Sequence, residues 1–264
     1  MALTGLHTNW ANGSYKNDRD SELKKREGLR LQPYCDTVGR SITIGYGLDL
    51  LTNSNAGINS YLTSAGLSTL STQDADLLNQ GRQRRIANTA TSSYLQGIAN
   101  QLSIALPNEP AASRVLTCVA DAFESQLDNH LGYTMMDSKE RVALVSMSFN
   151  GGVGLIGKYL RNAITNDNRA EAWYEIRYNS NNGDSACRGL ANRRYEESYL
   201  FGLYDNTPTF TEAEAKEVMR MYTFYREVID DYERRYPPAN AGVPTIKDQR
   251  CIGASKDYLI TNFA

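Results

Sequence analysis

The stretch Glu27-Gly28-Leu29-Arg30-Leu31-Gln32-Pro33-Tyr34-Cys35-Asp36, followed after a short turn by Ser41-Ile42-Thr43-Ile44-Gly45-Tyr46-Gly47, decides how the rest of this 264-residue chain is read. Before it, Asp20 or Ser21 can cap a short helix that runs through Arg26 and is ended by Gly28. In the second half, Ile42, Ile44 and Tyr46 alternate with Ser41, Thr43 and Gly45, which is the period of a half-buried strand. Val38-Gly39-Arg40 supplies a turn, so residues 30–47 are expected to form a small β-hairpin directly after the helix.

Outward from the hairpin, almost everything is helical. Apolar periodicity with few breakers predicts helices over 55–65, 72–90, 94–102 and 111–127. Ser138 is placed to cap the apolar run Val142-Ala143-Leu144-Val145-Ser146-Met147-Ser148-Phe149, which Asn150-Gly151-Gly152 ends. Further helices are expected at 157–164, 169–178, 188–204 and 211–235, the last stopped by Pro237-Pro238. On that last helix Val218, Tyr222, Tyr225, Ile229, Tyr232 and Tyr236 recur at alternating four and three spacing. Such a stripe suits a partner-binding seam or, more plainly, packing against the helix's own domain.

Composition narrows the chemistry. With 41% hydrophobic and 22% charged residues the chain can bury a sizeable core. A net charge of −2 provides no basic field to concentrate nucleic acid, although Arg82, Arg84 and Arg85 cluster in what is expected to be a solvated helix face. No run approaches the roughly 20 apolar residues of a membrane span, and the polar Met1–Asn17 start lacks the features of a secretory signal. Four scattered cysteines (35, 118, 187, 251) and two histidines (7, 130) indicate neither a disulfide framework nor a zinc site, and give a Ser-His-Asp triad little support. Carboxylate chemistry remains. The 17 tyrosines suggest amphipathic faces able to stack on sugar rings, although core packing accounts for most tyrosines in proteins.

Glycosidic bond cleavage needs a proton donor for the leaving oxygen and a second carboxylate that activates water or attacks. Glu27 at a helix end and Asp36 near a hairpin tip come from different elements and can face one another. The negative end of the helix dipole is expected to raise the pKa of Glu27, opposed by Lys25, Arg26 and Arg30 if they point at it, while Asp36 in a polar turn stays ionised. Thr43 carries a hydroxyl able to orient a water beside Asp36. Taken alone, a Glu before a Gly and an Asp in a turn are also common surface residues.

The run EGLRLQPYCDTVGRSITIGYG strongly resembles the catalytic hairpin of the phage-type lysozymes (endolysins, muramidases), in which a Glu, an Asp or Cys and a Thr form a triad followed by T-I-G-x-G. Glu27-Gly28-Leu29, Tyr34, Asp36-Thr37 and Thr43-Ile44-Gly45-Tyr46-Gly47 match that pattern. Residues 143–151 resemble the family's central helix, and Arg169-Ala170-Glu171-Ala172-Trp173 with Gly189 to Glu197 resemble its closing helices. The resemblance implies Glu27 as general acid, Asp36 and Thr43 holding the attacking water with inversion, and Asp49 and Phe149 in substrate-lining positions. Three departures stand out. Six residues rather than five separate Asp36 from Thr43; with the extra residue placed in the Val38–Arg40 turn Thr43 is retained, and Ser41 is the alternative. Leu48 follows Gly47 where some members carry a His paired with a buried Asp, and residues 51–130 and 205–264 have no recognised counterpart.

The expected fold is therefore lysozyme-like, α+β but predominantly α, with a small β-hairpin lobe and a large helical lobe separated by a cleft. The expected organisation is a polar N-terminal arm (1–19) and one catalytic domain (20–264), comprising catalytic helix and hairpin (20–50), helical insertion (51–132), helical lobe (133–204) and C-terminal extension (205–264). The expected activity is a cofactor-free, metal-free muramidase, acting as a monomer on peptidoglycan glycan strands, with no nucleic-acid partner. A lytic transglycosylase acting on the same bond and a catalytically retired wall-binding module are the alternatives. The setting implied is wall degradation after cytoplasmic synthesis and delivery by a holin or secretion apparatus, either as a phage lysin or as an antibacterial toxin with an immunity protein as partner. The polar start also suits a domain boundary.

Overall fold

A computed structural model describes residues 3–8, 14–36, 40–181, 187–205 and 210–247, with 257 and 261. Ten α-helices and one small antiparallel sheet are described, an α+β architecture dominated by helix. The chain forms two compact units, 16–122 and 1–15 with 123–264. Among the described residues no helix is long and apolar enough to cross a membrane.

The first unit begins with α1 (Tyr15–Arg26), which starts earlier than Asp20 or Ser21. The reason is tertiary. Arg19 is fully buried, with ion pairs at 2.7 Å to both Asp20 and Asp121, so the polar-looking start of the helix is a packed face. Three strands follow, β1 (Arg30–Asp36), β2 (Ser41–Gly45) and the short β3 (Leu48–Asp49), in the order β1-β2-β3. The expected hairpin is present, and β3 adds an edge to it. Every residue of β2 is buried, the ordinary condition of a central strand.

What covers the sheet is the segment with no counterpart in the resemblance. α2 (Asn55–Ser64), α3 (Thr72–Ile86) and α4 (Ser92–Ala99) follow, and α4 packs on β1 and β2. The Cys35 amide donates to Gln96 Oε1 at 3.1 Å, and the Leu106 amide to the Leu31 carbonyl at 2.9 Å. Ile42, Ile44, Leu50, Ile58, Leu78, Leu95 and Leu106 are buried here, each stabilising the unit by about 1.5–3 kcal/mol relative to exposure. Gly45, at φ +69°, lies so near Leu106 that a Cβ would come within 3.0 Å of its Cδ1, which accounts for the glycine in Thr43-Ile44-Gly45. Arg82 does not belong to a solvated face: it donates to the Leu50 and Asn53 carbonyls at 2.8 and 2.7 Å and ties α3 to the chain leaving β3. Arg84 and Arg85 are exposed.

The second unit takes the continuation of α5 (Glu109–Leu131), then α6 (Lys139–Gly151), α7 (Lys158–Thr165), α8 (Arg169–Tyr174), α9 (Arg188–Phe201) and α10 (Glu212–Arg235). Ser138 caps α6 as expected, accepting from the Arg141 amide at 3.1 Å, and Val142 to Ser148 are buried on every side. A π-helical turn, Glu175–Asn179, extends α8. Val218, Ile229 and Tyr232 of the α10 stripe are buried, with Tyr222, Tyr225 and Tyr236 packed against the same core, so the stripe serves its own unit. Tyr174, Tyr178, Tyr195, Tyr204 and Tyr232 are likewise core residues. Within the described residues 3–8, Leu3 is buried in this core and Thr4 donates from its amide to Asp167 at 2.8 Å.

Candidate active site

Glu27 sits one residue beyond α1, and its amide still donates to the Leu23 carbonyl at 3.1 Å, so the side chain is carried by the last helical turn. The cations nearest in sequence have acceptors of their own. Arg26 pairs with Glu22 at 2.9 Å, Lys25 also pairs with Glu22, and Lys24 reaches Glu109 at 2.9 Å. Arg30 lies over the Tyr34 ring, 5.7 Å from its centroid.

Glu109 anchors this end of α1. It accepts from Ser113 at 2.6 Å, Lys24 at 2.9 Å and Tyr46 at 3.0 Å, joining the first turn of α5, the last turn of α1 and the strand-end tyrosine. These bonds, that from Ser113 foremost, hold its carboxyl down at about 2. Nothing in the local sequence marks Glu109, because its partners lie as far as 85 residues away.

The register of the hairpin places the other members. Asp36 pairs with Ser41, Cys35 with Ile42, Tyr34 with Thr43 and Arg30 with Gly45. Between the last two pairs Leu31, Gln32 and Pro33 oppose Ile44 alone, so β1 carries a bulge at the proline, which has no amide to give the ladder. Two surplus residues preserve the alternation of faces. Tyr34 and Asp36 therefore share one side of the sheet with Thr43 and Ser41, and Asp36 stands diagonal to Thr43, a relation with a side-chain spacing of about 7–8 Å. Of the expected site of the extra turn residue, Val38–Arg40, positions 38 and 39 lie outside the described residues; Arg40 takes the left-handed φ of 47°.

Tyr34 reports on its surroundings. Burial pushes its phenol up, the Asp36 and Glu27 carboxylates push in the same direction, and the Arg30 charge and the Thr43 hydroxyl oppose them. Of the three residues singled out from the sequence, Thr43 stands directly across from Tyr34, Asp36 lies two residues along on the same side, and the Glu27 charge reaches the phenol. Ser41, the alternative to Thr43, donates its hydroxyl hydrogen to Asp49.

Asp49 forms a closed set of bonds. Its carboxylate accepts from Ser41, from the Leu51 and Thr52 amides at 2.8 Å and from the Thr52 hydroxyl at 2.7 Å, with Arg85 at 3.7 Å. That is the bonding of a turn brace. Phe149, in the second unit, is partly exposed at the end of α6 and tilts against Phe123, ring centroids 5.4 Å apart.

Among the described residues, His7, Glu140 and Asp205 of the second unit offer ligand atoms within 4.8 Å of one another. Arg169 occupies the charge position a cation would take, 2.8 Å from Glu140 and 3.4 Å from Asp205, so the residues present do not suit a metal. Cys35, Cys118 and Cys187 are free thiols.

Residues 97–197 match the family model described as phage lysozyme, a segment that runs from α4 to α9 and begins downstream of the hairpin. None of the curated proteins compared matches the chain.

Proposed function

Proceeding from the phage-lysozyme character of residues 97–197, we propose that this protein is a muramidase cleaving the β-1,4 bond between N-acetylmuramic acid and N-acetylglucosamine in peptidoglycan. The observation that carries the proposal is the hairpin register, with Asp36 and Thr43 on one side of the sheet next to the helix end that carries Glu27.

Glu27 is the general acid. Its carboxyl proton passes to the glycosidic oxygen as the C1–O bond breaks and positive charge develops at C1. A water held between Asp36 and Thr43 attacks C1, Asp36 takes the proton that the water loses, and the product carries a reducing end. A diagonal pair on an antiparallel hairpin leaves room for one water bonded to both side chains. Attack from the face opposite the leaving group gives inversion. Phe149 is proposed to contact the glycan, whereas Asp49 acts by bracing β3. The chain is proposed to work on the cell wall without a cofactor. A wall-delivered toxin would need an immunity protein, and inhibition by such a partner would distinguish that setting from phage lysis.

Purified peptidoglycan incubated with wild-type protein should release muropeptides with free reducing ends, detected by reduction and mass spectrometry, and Glu27→Gln should release none while keeping the native melting curve. Anhydro-muramic ends would replace hydrolysis with transglycosylation. Wild-type rates from Glu27→Gln would remove Glu27 from the reaction.

A further inference from the structure

We propose that Glu109 is a positioning residue for the general acid: through one carboxylate oxygen it ties the last turn of α1 to the end of β2, and so sets the position of Glu27 relative to the hairpin. The proposal rests on the muramidase reading and deepens it.

α1 lies antiparallel along α5, held by polar ties that recur down the pair. Lys16 and Arg19 bond Asp121 at 2.9 and 2.7 Å, Thr117 donates to Asp20, and Lys24 reaches Glu109 at 2.9 Å. The last of these ties falls one helical turn before Glu27. The same Glu109 Oε1 accepts from Ser113 of its own helix at 2.6 Å and from the Tyr46 hydroxyl at 3.0 Å, so α1, α5 and the sheet meet at one atom. Lys24 also lies over the Tyr46 ring, 5.4 Å from its centroid. Tyr46 directly follows β2, the strand that carries Thr43.

The covalent connection cannot fix this geometry alone. Gly28 and Leu29 join α1 to β1; beyond its chain neighbours no atom lies within 4 Å of where a Gly28 Cβ would stand, and Leu29 is exposed. A glycine joint with so little packed on it restrains the helix weakly. Catalysis is sensitive to the outcome, because the acid must reach the glycosidic oxygen while the water meets C1, and a displacement of about 1 Å can cost roughly 100-fold in rate. Lys24 and Glu109 both keep part of their surface in solvent, so their pair adds little to stability and acts chiefly through placement. With its carboxyl held at about 2, Glu109 stays ionised across the working range and the tie to Lys24 persists.

The test measures kcat and KM on the full chain, as muropeptides released from purified peptidoglycan. Glu109→Ala opens both arms of the tie. Lys24→Met opens the helix arm, and Tyr46→Phe opens the strand arm while keeping the ring beneath Lys24. Each is expected to lower kcat by roughly 10-fold with KM unchanged, as for a displaced acid beside an intact binding surface. Because the arms meet at one oxygen, the double variant Lys24→Met with Tyr46→Phe should fall no further than either single variant. Lys16→Met, which breaks the exposed pair with Asp121 near the start of the same helix, should keep wild-type kcat. Both lysine variants should lower the melting temperature by about 3 °C or less. Wild-type kcat in Glu109→Ala, a loss confined to KM, arm effects that multiply, or a matching loss in Lys16→Met overturns the proposal. Should Glu109→Ala melt early, the single-arm variants, which leave the first turn of α5 intact, decide between the same outcomes. A wild-type protein that releases no muropeptides defeats the muramidase reading and this proposal with it, whereas an active wild type indifferent to Glu109 defeats this proposal alone.

Discussion

Two regions of the molecule gather charge and hydroxyl groups, and they treat them oppositely. On the hairpin, Glu27, Tyr34 and Asp36 keep part of their surface in solvent. In the helical unit, Glu197 is fully buried and accepts from Ser146 at 2.6 Å, Arg193 at 3.1 Å and Arg194. Arg194 reaches on to Asn150 at 2.8 Å. Nearby Arg177, also fully buried, sits among Trp173, Tyr178 and Tyr195 with ring centroids 4.4–5.7 Å away, and donates to the Pro244 carbonyl at 2.7 Å. The buried set is closed on itself and joins helices. The hairpin set lies at the surface, apart from the buried Thr43. Charged residues are catalytic candidates in the one place and structural ties in the other, and exposure separates the two roles better than residue type does.

The largest expected effect breaks the buried set. Glu197→Ala should cost about 3–5 kcal/mol in urea unfolding, because it strands Arg194 in the interior; a loss under about 1 kcal/mol would mean that water reaches the cluster. Asp36→Asn tests the other side of the comparison. It should lower kcat by roughly 10²-fold or more, about 3 kcal/mol, while the unfolding midpoint moves by no more than about 0.5 kcal/mol. Equal effects on stability from both substitutions would erase the distinction between the regions.

Glu140 sharpens the comparison through pH. Burial pushes its carboxyl up, but the His7 hydrogen bond and Arg169 outweigh that, and the net shift is below the ordinary 4.5. A depressed folded-state value stabilises the native state above the unfolded value, and the contribution disappears as pH falls through the folded one. Wild type should therefore exceed Glu140→Gln by about 2 kcal/mol at neutral pH, and the gap should narrow only below 4.5 in melts taken across acid pH. A constant gap would show that the ion pair does not contribute. The smallest effect is expected at Thr211, whose hydroxyl caps α10 in a reciprocal box with Glu214; Thr211→Ala should cost about 1 kcal/mol in a thermal melt.

Much of this architecture is legible in local pattern. The alternation at Ser41–Gly47 specifies a strand, Ser138 and Thr211 announce helix starts, and the α10 stripe gives a buried face, because each rests on periodicity or capping within a few residues. The short β3 was not legible, since two residues carry no period. Nor were the buried ties at Arg82, Arg177 and Arg194, which look like solvated charge until their distant partners are known. The segment after residue 50, unrecognised by resemblance, supplies the helix that covers the sheet.

Glu27, Asp36 and Thr43 are legible as candidates before folding, from their residue types and spacing around a turn together with the resemblance of their hairpin to that of the phage-type lysozymes, all of which is local information. Which of them share a side of the sheet depends on the strand pairing. A bulge at Pro33 shifts β1 by two residues against β2, and alternation along a strand makes the facing of every side chain depend on that count. The tertiary structure decided that Asp49 braces a turn and that Glu109 anchors α1, since both follow from partners that meet only when the chain folds.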